Sequence, residues 1–250
     1  MPLRSGPVRP TADALRSIPM PSLRRLPRYY QLLRRMYVGE HDHITSAQIA
    51  AALDLEETQV RKDIAATGFG GKPKRGFHGR SLLLFLEEFL GLRKVNEAVL
   101  IGAGNLGRAL LNYSGFAEFG LNISAVFDTD PTKIGTLIAG RRVYHVRDLT
   151  YIISRLNIRL AIITVPGDAA QEVADALVAG GTKAIWNFSP VHLRVPDTVR
   201  AFSENLAVSL ATLSHYLAVC DAEQQADGAS ASPEEAEPVG APFLEPVVEA

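Results

Sequence analysis

A short glycine-rich loop between two differently patterned segments constrains this chain more than any other feature. An apolar run typical of a buried strand, Glu97-Ala-Val-Leu-Ile101, leads directly into Gly102-Ala-Gly-Asn-Leu-Gly107, and a helical stretch from Arg108 to Ser114 follows. Glycines at this spacing suit a tight turn, a close approach of a ligand to the backbone, and close packing of the helix on the strand. The sequence therefore predicts a βαβ unit and an α/β domain with a parallel sheet.

The loop also predicts a dinucleotide site. Gly102 permits the turn, Gly104 lets a pyrophosphate reach the main chain, and Gly107 allows close packing, so the phosphates meet free amides at the positive end of the helix. The next strand, Ile123–Phe127, ends at Asp128, where a carboxylate would bond the adenosine ribose and repel a 2′-phosphate. NAD(H) is thus favoured over NADP(H). The alternative is that Asp128 only caps the following turn.

Further strands alternate with helices over residues 91–205. Apolar runs predict strands at Val143–His145, Leu160–Thr164 and Lys183–Phe188, with helices at Leu149–Leu156 and Ala169–Ala179. This rhythm predicts a parallel, doubly wound Rossmann sheet with its ligand at the carboxyl ends of the strands. Two such ends, Thr164-Val-Pro166 and Asn187-Phe-Ser-Pro190, should face the nicotinamide. The alternative is that they only form the turns that end the strands. The candidate cofactor contacts are Gly102, Ala103, Gly104, Asn105, Leu106, Gly107, Asp128, Thr164, Val165, Pro166 and Asn187.

Short helical segments precede the sheet and predict a separate N-terminal domain over residues 18–90. Ser22 to Tyr37 has apolar residues on one face, although Pro27 fits a helix interior poorly and would kink or displace the first turn. Two capping boxes, in which a side-chain oxygen and a residue three positions later satisfy free amides, mark the starts of two shorter helices. They are Thr45 with Gln48 and Asp54 with Glu57.

The second of these shorter helices has the layout of a DNA-recognition helix. We expect Val60 and Ile64 to face inward. The opposite face is polar and cationic, as in a helix-turn-helix whose second helix enters the major groove. The candidate DNA contacts there are Gln59, Arg61 and Lys62, with Thr58 beside them.

A basic, glycine-rich segment from Gly68 to Arg80 strengthens this interpretation. Its glycines suit a β-hairpin "wing", with Lys74 and Arg75 as further candidate DNA contacts and Arg75 placed to enter a narrow minor groove. The alternative is a flexible linker. Ser81 to Leu92 then predicts a helix that connects the wing to the sheet domain.

Charge is distributed unevenly along the chain. The 250 residues have a formal net charge of −1, yet the segment from Asp221 onward holds eight acidic and no basic side chains, so residues 1–220 carry an excess of seven positive charges. Between Arg16 and Arg80, twelve Lys and Arg face six Asp and Glu. This N-terminal excess suits a polyanion, with an ordinary solvated basic surface as the alternative.

The remaining composition excludes several classes of protein. Cys220 is the single cysteine and no Cys or His spacing suits a metal, so we expect a reducing compartment, no internal disulfide and no metal site. No apolar run is long enough to cross a membrane or to form a signal peptide, which predicts a cytoplasmic protein. Both tails, residues 1–17 and 221–250, are expected to be disordered.

A series of short motifs occurs in order along residues 18–219. On these motifs the chain resembles the Rex family of redox-sensing repressors, and the two tails stay unmatched. The motifs are Leu26-Pro with Tyr29-Tyr30, Gln59-Val-Arg-Lys-Asp63, Arg75-Gly76, Gly102-x-Gly-x-Leu-Gly107, Asn112-Tyr113 with Gly115-Phe116, Phe127-Asp-x-Asp-Pro131, Thr164-Val-Pro166 and Asn187-Phe-x-Pro190.

The resemblance implies a winged helix-turn-helix domain joined to a Rossmann domain. It implies a repressor, not an enzyme, that binds double-stranded DNA at a palindromic operator as a homodimer and dissociates on binding NADH, so that it responds to the ratio of NADH to NAD+. By resemblance, Arg61, Lys62 and Arg75 contact DNA, and Tyr113 lies near the nicotinamide. A final helix, residues 206–220, is expected to swap across the dimer.

Two positions and the wing depart from the family pattern, whereas one further position matches it. Arg25 matches a family position near the domain interface. Where the family usually has an Arg late in the first helix and an Asp opening the final helix, this chain has Gln31 and Asn205, so an ion pair would become a neutral amide pair without charge assistance. The wing also carries additional residues around Lys72-Pro-Lys74.

Two other classes of protein remain open from the residues alone. Rossmann domains often serve NAD-dependent oxidoreductases, although the region after Gly91 has no separate substrate domain and no Tyr-x-x-x-Lys pair. A CoA-binding or ligase subunit could use the same fold, but that reading leaves the basic winged segment unexplained.

Overall fold

The computed structural model describes residues 10–36, 43–72, 75–93 and 96–230, so Tyr37 and Lys74 lie outside the described residues. The helices are α1 Ala12–Ser17, α2 Met20–Met36, α3 Ser46–Leu53, α4 Glu57–Ala66, α5 Gly79–Phe89, α6 Asn105–Leu111, α7 Gly115–Glu118, α8 Leu149–Leu156, α9 Gly167–Ala179 and α10 Leu206–Ser230. The strands are β1 His43–Ile44, β2 Phe77–His78, β3 Asn96–Ile101, β4 Leu121–Asp128, β5 Leu137–Ile138, β6 Arg141–His145, β7 Leu160–Ile163, β8 Ala184–Asn187 and β9 Arg200–Ser203.

The helices α2 to α5 enclose a core of their own. Leu26 and Leu33 of α2, Ile49 of α3 and Ile64 of α4 are fully buried in one cluster. Each such side chain contributes roughly 1.5–3 kcal/mol through burial. The helix α2 continues through Pro27 without interruption, because the proline removes one helical hydrogen bond and the buried face on both sides of it offsets that loss.

The two predicted helix starts have different outcomes. The capping box of Thr45 and Gln48 is present at α3, where each side chain bonds the other's backbone amide. The second predicted capping box, Asp54 with Glu57, is absent, so that prediction is wrong. Asp54 ends α3 in the left-handed conformation, and α4 begins after Glu56, which makes no side-chain capping bond. The connection between the helices is so short that Asp54 has to end the first one, and Glu57 is then free to bond other side chains.

The basic glycine-rich segment forms the predicted wing. The strand β2 pairs with β1 in antiparallel register, and Lys72 and Gly76 exchange backbone hydrogen bonds of 2.8 and 3.0 Å to close the turn that carries Arg75. Gly76 has a φ of +75°, and a Cβ at this position would overlap the carbonyl oxygen of Ile44. Glycine is therefore required where the wing meets β1.

The C-terminal elements form a seven-stranded sheet in the order β5-β6-β4-β3-β7-β8-β9. All neighbouring strands are parallel except the edge pair β5 and β6. The six parallel strands have the doubly wound order of a Rossmann fold, which confirms the predicted architecture. The short strand β5 and the exposed edge strand β9 were not predicted from the sequence, because neither has a buried apolar run.

Contacts of α2 connect the small helical core to the sheet region. Tyr30 lies against Phe119 with ring centroids 6.3 Å apart, and Arg34 lies 3.6 Å from Glu118. At the other end of the helix, the guanidinium of Arg24 lies 5.2 Å from the centre of the Phe202 ring. The same helix therefore contacts both α7 and β9.

The ends of the chain contain more helix than the sequence predicts. Residues 12–17, expected to be disordered, form α1, since Thr11 caps its first amides and Ala14 packs on the small core. The helix α10 runs to Ser230 instead of ending at residue 220. It belongs to a separate compact unit that begins at Glu204. Several large apolar side chains on it are exposed, namely Val208, Leu210, Leu213, Tyr216, Leu217 and Val219.

The described ranges contain neither a membrane-spanning helix nor a cluster of metal-ligating side chains. No helix there combines the length and the apolar character needed to cross a lipid bilayer. Within the same ranges, His, Cys, Asp and Glu side chains form no group of three or more that could hold a metal ion.

Candidate functional site

A crevice of about 580 Å³ opens at the carboxyl ends of β3, β4 and β7. The sheet order reverses between β3 and β7, and open α/β sheets bind their ligands at this point. The volume lies within the range of small-molecule sites, about 300–1,000 Å³. Predicted residues Gly102, Gly104, Asp128, Thr164, Val165 and Pro166 line it, together with Lys133, His145, Arg147, Thr150 and Glu172 among others.

The glycine loop forms one wall of the crevice through its backbone. Gly102 has a φ of +102°, and a Cβ there would lie 2.9 Å from the carbonyl of Thr164, whose hydroxyl donates to the Gly102 carbonyl at 2.7 Å. A Cβ on Gly107 would overlap the Gly102 carbonyl oxygen, whereas one on Gly104 would meet nothing within 4 Å. Two glycines are thus needed for packing, and Gly104 keeps the wall open for a ligand.

Asp128 lies at the end of β4 with three hydrogen-bond donors around it. One carboxylate oxygen accepts from the amide of Ala103 at 2.8 Å and from Lys133 at 3.2 Å, and the other accepts from the amide of Asp130 at 2.9 Å. Burial raises the pKa of Asp128, but these bonds outweigh it and the pKa is lowered below its ordinary value. A carboxylate has about four acceptor positions, so one remains for a sugar hydroxyl.

Other predicted cofactor residues lie elsewhere. Ala103 is buried, while Asn105 and Leu106 form the first turn of α6. Asn187 is fully buried, and its amide donates to the carbonyl of Val191 at 2.8 Å and to the hydroxyl of Ser203 at 3.2 Å. It closes the loop after β8 and is absent from the residues that line the crevice, so its contact with a cofactor stays a prediction. Tyr113 is 60% exposed on the turn after α6, where its ring meets Phe116 edge to face, and it is also absent from the crevice wall.

The free face of α4 has the predicted composition and a groove on each side. Val60 and Ile64 are buried, Arg61 and Lys62 are exposed, and Gln59 is half-buried. The groove between α4 and the wing, here the wing groove, is lined by Ser46, Glu57, Arg61, Lys72 and Gly76 among others. The groove on the other side, here the α2 groove, is lined by Ser22, Arg25, Glu56, Gln59, Lys62 and Asp63 among others.

A buried ion pair that the sequence analysis missed fixes α4 against α2. Arg25 donates through Nε and one amino group to both oxygens of Asp63, at 2.6 and 2.7 Å, and the hydroxyl of Tyr29 donates at 2.6 Å. Asp63 is only 2% exposed. Burial raises the pKa of Asp63, but the bonds from Arg25 and Tyr29 lower it below its ordinary value. The signal was available, because a carboxylate beside Ile64 on the inward face needs a cationic partner.

Curated relatives decide the family of this chain. It is 44% identical over 193 residues to the redox-sensing transcriptional repressor Rex of Treponema denticola, covering 77% of this chain and 92% of the relative. The corresponding protein of Clostridium beijerinckii is 37% identical over 202 residues, covering 81% of this chain and 96% of the relative. The chain belongs to the Rex family of redox-sensing transcriptional repressors.

Solved structures support the same assignment to the Rex family. The crystal structure of RSP in complex with β-NAD+ and operator DNA matches with a TM-score of 0.78 and 35% identity, covering 84% of this chain and 97% of that chain. RSP in complex with β-NADH matches with a TM-score of 0.74 at the same identity, covering 98% of that chain. Both comparisons extend over the winged region and the sheet region together.

Two family models match different parts of this Rex-family chain. The model described as putative DNA-binding protein N-terminus matches residues 17–65. The model described as CoA binding domain matches residues 93–191. The second match covers most of the Rossmann region. A CoA-binding protein was one alternative for this fold, but the relatives with the same fold are repressors.

Proposed function

We propose that this protein represses transcription as a homodimer on a palindromic operator and that it leaves the operator when NADH binds the crevice. One observation carries the proposal. A single chain joins a wing and a recognition helix to a dinucleotide crevice, and it is similar over 84% of its length to repressor structures described with operator DNA or with NADH.

The DNA contacts would come from α4 and the wing. Arg61 and Lys62 extend from the exposed face of α4, Gln59 lies beside them, and Arg75 lies at the exposed tip of the wing. The helix enters the major groove and the cation at the wing tip enters the minor groove, where the potential is most negative. Lys74, next to Arg75, would add a phosphate contact.

The crevice would hold NADH through its backbone and one carboxylate. Gly104 and the first turn of α6, Asn105 and Leu106, would meet the pyrophosphate, and Asp128 would accept from a ribose hydroxyl. The reduced nicotinamide is uncharged, so an apolar surrounding would favour it over NAD+ by avoiding desolvation of a charge. Thr164 to Pro166 would cover the dinucleotide from the end of β7.

Dimerisation would use α10. Its leucines and valines are exposed, and a large exposed apolar patch marks an interaction surface. We propose that this helix swaps across the dimer, as the family resemblance implies. Asn205 caps its start, because the Asn205 side chain accepts from the amide of Ala207 at 3.0 Å.

Linkage explains how NADH would act on DNA binding. If NADH binds better to the arrangement of the dimer that cannot bind DNA, the affinity for DNA must fall by the same factor. A hundredfold weakening needs roughly 2.7 kcal/mol of coupling, within the usual range. The helix α2 is suited to transmit this coupling. Its Tyr30 and Arg34 contact the C-terminal end of α7, and its Arg25 holds α4.

The same proposal makes the protein a cytoplasmic regulator without catalytic activity. An oxidoreductase would use the crevice, but it would not need the wing or the exposed cations Arg61 and Lys62 on α4. A CoA-dependent enzyme would not need the wing or the cationic face of α4. Both alternatives therefore leave the wing and the cationic face of α4 without a role.

Selection from a pool of random duplexes tests the proposal. The full-length protein should recover a palindromic duplex, and NADH should release that duplex while NAD+ should not. NADH should show no oxidation when incubated with the protein and a panel of aldehydes and ketones. Measurable turnover, or the absence of any preferred duplex, would contradict the proposed function.

A further inference from the structure

The exposed face of α4 carries an acid where DNA would lie. Glu57, Arg61 and Ala65 are spaced four residues apart, so they form one stripe along the helix, and all three are exposed. The stripe lines the wing groove together with Lys72. With DNA bound as proposed, a carboxylate here would lie near phosphates and weaken binding by repulsion.

Glu57 is fixed by two hydrogen bonds. An amino group of Arg61 donates to its carboxylate at 2.5 Å, and the hydroxyl of Ser46 donates to the same oxygen at 3.0 Å. The bonds from Arg61 and Ser46 lower the pKa of Glu57, so the carboxylate stays ionised. Ser46 begins α3 and is itself buried, so the position of the carboxylate is set from outside α4.

We propose that Glu57 determines the specificity of DNA binding by controlling Arg61, an inference that rests on the proposed role of α4. The bond to Glu57 occupies one of the five donors of the guanidinium. The remaining donors can still reach O6 and N7 of a guanine, the usual bidentate contact of arginine. Arg61 therefore reads a base edge while it stays paired to Glu57.

Contact with a phosphate has a different requirement. To reach the backbone of DNA without the preferred base, Arg61 has to turn away and break its bond to Glu57. Losing a charge-assisted bond costs more than losing a neutral one, and the released carboxylate then lies unpaired near phosphates. The pair thus weakens non-specific binding more than operator binding, and the discrimination between duplexes increases.

The variant Glu57→Gln tests this inference in the full-length protein without NADH. Fluorescence anisotropy compares a palindromic duplex that the unmodified protein selects from a random pool with a scrambled duplex of equal length and composition, at several salt concentrations. The affinity for the scrambled duplex should rise about three- to tenfold, with a salt dependence steeper by about 0.9 for one added phosphate contact. The affinity for the selected duplex should rise only by the smaller factor that removing one negative charge produces, about twofold or less.

The neighbouring acid supplies a matched control. Glu56 is exposed and lines the α2 groove, away from Arg61. Glu56→Gln removes the same charge from the same end of the helix, so it should raise the affinity for both duplexes by one common factor. Ser46→Ala removes the second bond to Glu57 and should reduce discrimination by a smaller factor than Glu57→Gln.

The outcomes separate this inference from the proposed function. If Glu57→Gln raises both affinities equally, as the control does, or changes neither, the inference is overturned while the repressor function stands. If the unmodified protein selects no preferred duplex, both are overturned. A loss of discrimination confined to Glu57→Gln and, more weakly, Ser46→Ala supports the inference.

Discussion

The dinucleotide crevice and the recognition surface of α4 are built in different ways. The crevice depends on backbone: Gly102 and Gly107 let the loop, the helix and β7 approach within the space of a missing Cβ. The surface of α4 depends on side chains that choose partners across the fold, such as Arg25 with Asp63. The geometry of a backbone site follows from the spacing of glycines along the chain. The geometry of a side-chain site depends on partners that only the fold brings together.

This comparison predicts that adding a Cβ at a packed glycine of the crevice lowers stability more than a side-chain substitution on α4 or the wing. Gly107→Ala should show the largest effect, because its Cβ would overlap the Gly102 carbonyl oxygen. We expect a loss of about 3 kcal/mol or more in the free energy of unfolding, measured by denaturant titration. Gly104→Ala is the matched control, since its Cβ meets no protein atom. It should keep normal stability and lose NADH binding. Equal stability of the two variants would refute the backbone account.

Asp63→Asn should destabilise the protein by about 2–4 kcal/mol, because Arg25 would keep its charge in a largely buried place without a counter-ion. Operator affinity should fall with it, since α4 loses its fixed orientation. Thermal unfolding and anisotropy measure the two effects. If operator affinity falls and stability does not, Asp63 acts on DNA by another route.

The same pair gives a pH dependence with a definite sign. The pKa of Asp63 is lower in the folded protein than its ordinary value, so the unfolded chain binds the proton more readily. The stabilisation is therefore complete above the ordinary pKa, about 4, and is lost as the pH falls through the lowered value. The difference in unfolding temperature between the unmodified protein and Asp63→Asn should shrink below about pH 4. A constant difference would contradict this assignment.

Asp128→Ala should weaken NADH binding by about tenfold or more, the loss expected for a hydrogen bond to a charged group, and leave operator affinity in the absence of NADH unchanged. Isothermal titration with NADH and anisotropy with operator measure the two. Asp128 also bonds Ala103 and Asp130, so a parallel loss of stability and of DNA binding would show a purely structural role.

Arg75→Ala should have the smallest effect. Its exposed side chain makes no core contact, so stability should not change, while operator affinity should fall and its salt dependence should flatten by about 0.9 for one lost phosphate contact. An unchanged slope would show that the wing tip does not approach DNA.

The sequence predicted the features that depend on spacing along the chain. The glycine loop between a strand and a helix, the capping box of Thr45 and Gln48, and the buried positions Val60 and Ile64 are all local patterns, and the structure has them. The parallel order of the main strands also followed from the alternation of strands and helices.

The features that the sequence missed depend on partners distant in the chain. Asp63 meets Arg25 across 38 residues, and Asn187 turns inward because Ser203, 16 residues later, offers it a partner. At the false capping box, Asp54 ends α3, and Glu57 accepts instead from Ser46, 11 residues earlier. Local periodicity carries no information on such competition.

The central claim is that NADH and operator DNA bind different arrangements of one dimer. Its most direct test is a titration of operator occupancy against NADH at a fixed concentration of NAD+. The account predicts that occupancy falls as NADH saturates the crevice, and that Gly104→Ala stays on the operator at every NADH concentration. Occupancy that remains constant for the unmodified protein at saturating NADH would contradict the claim.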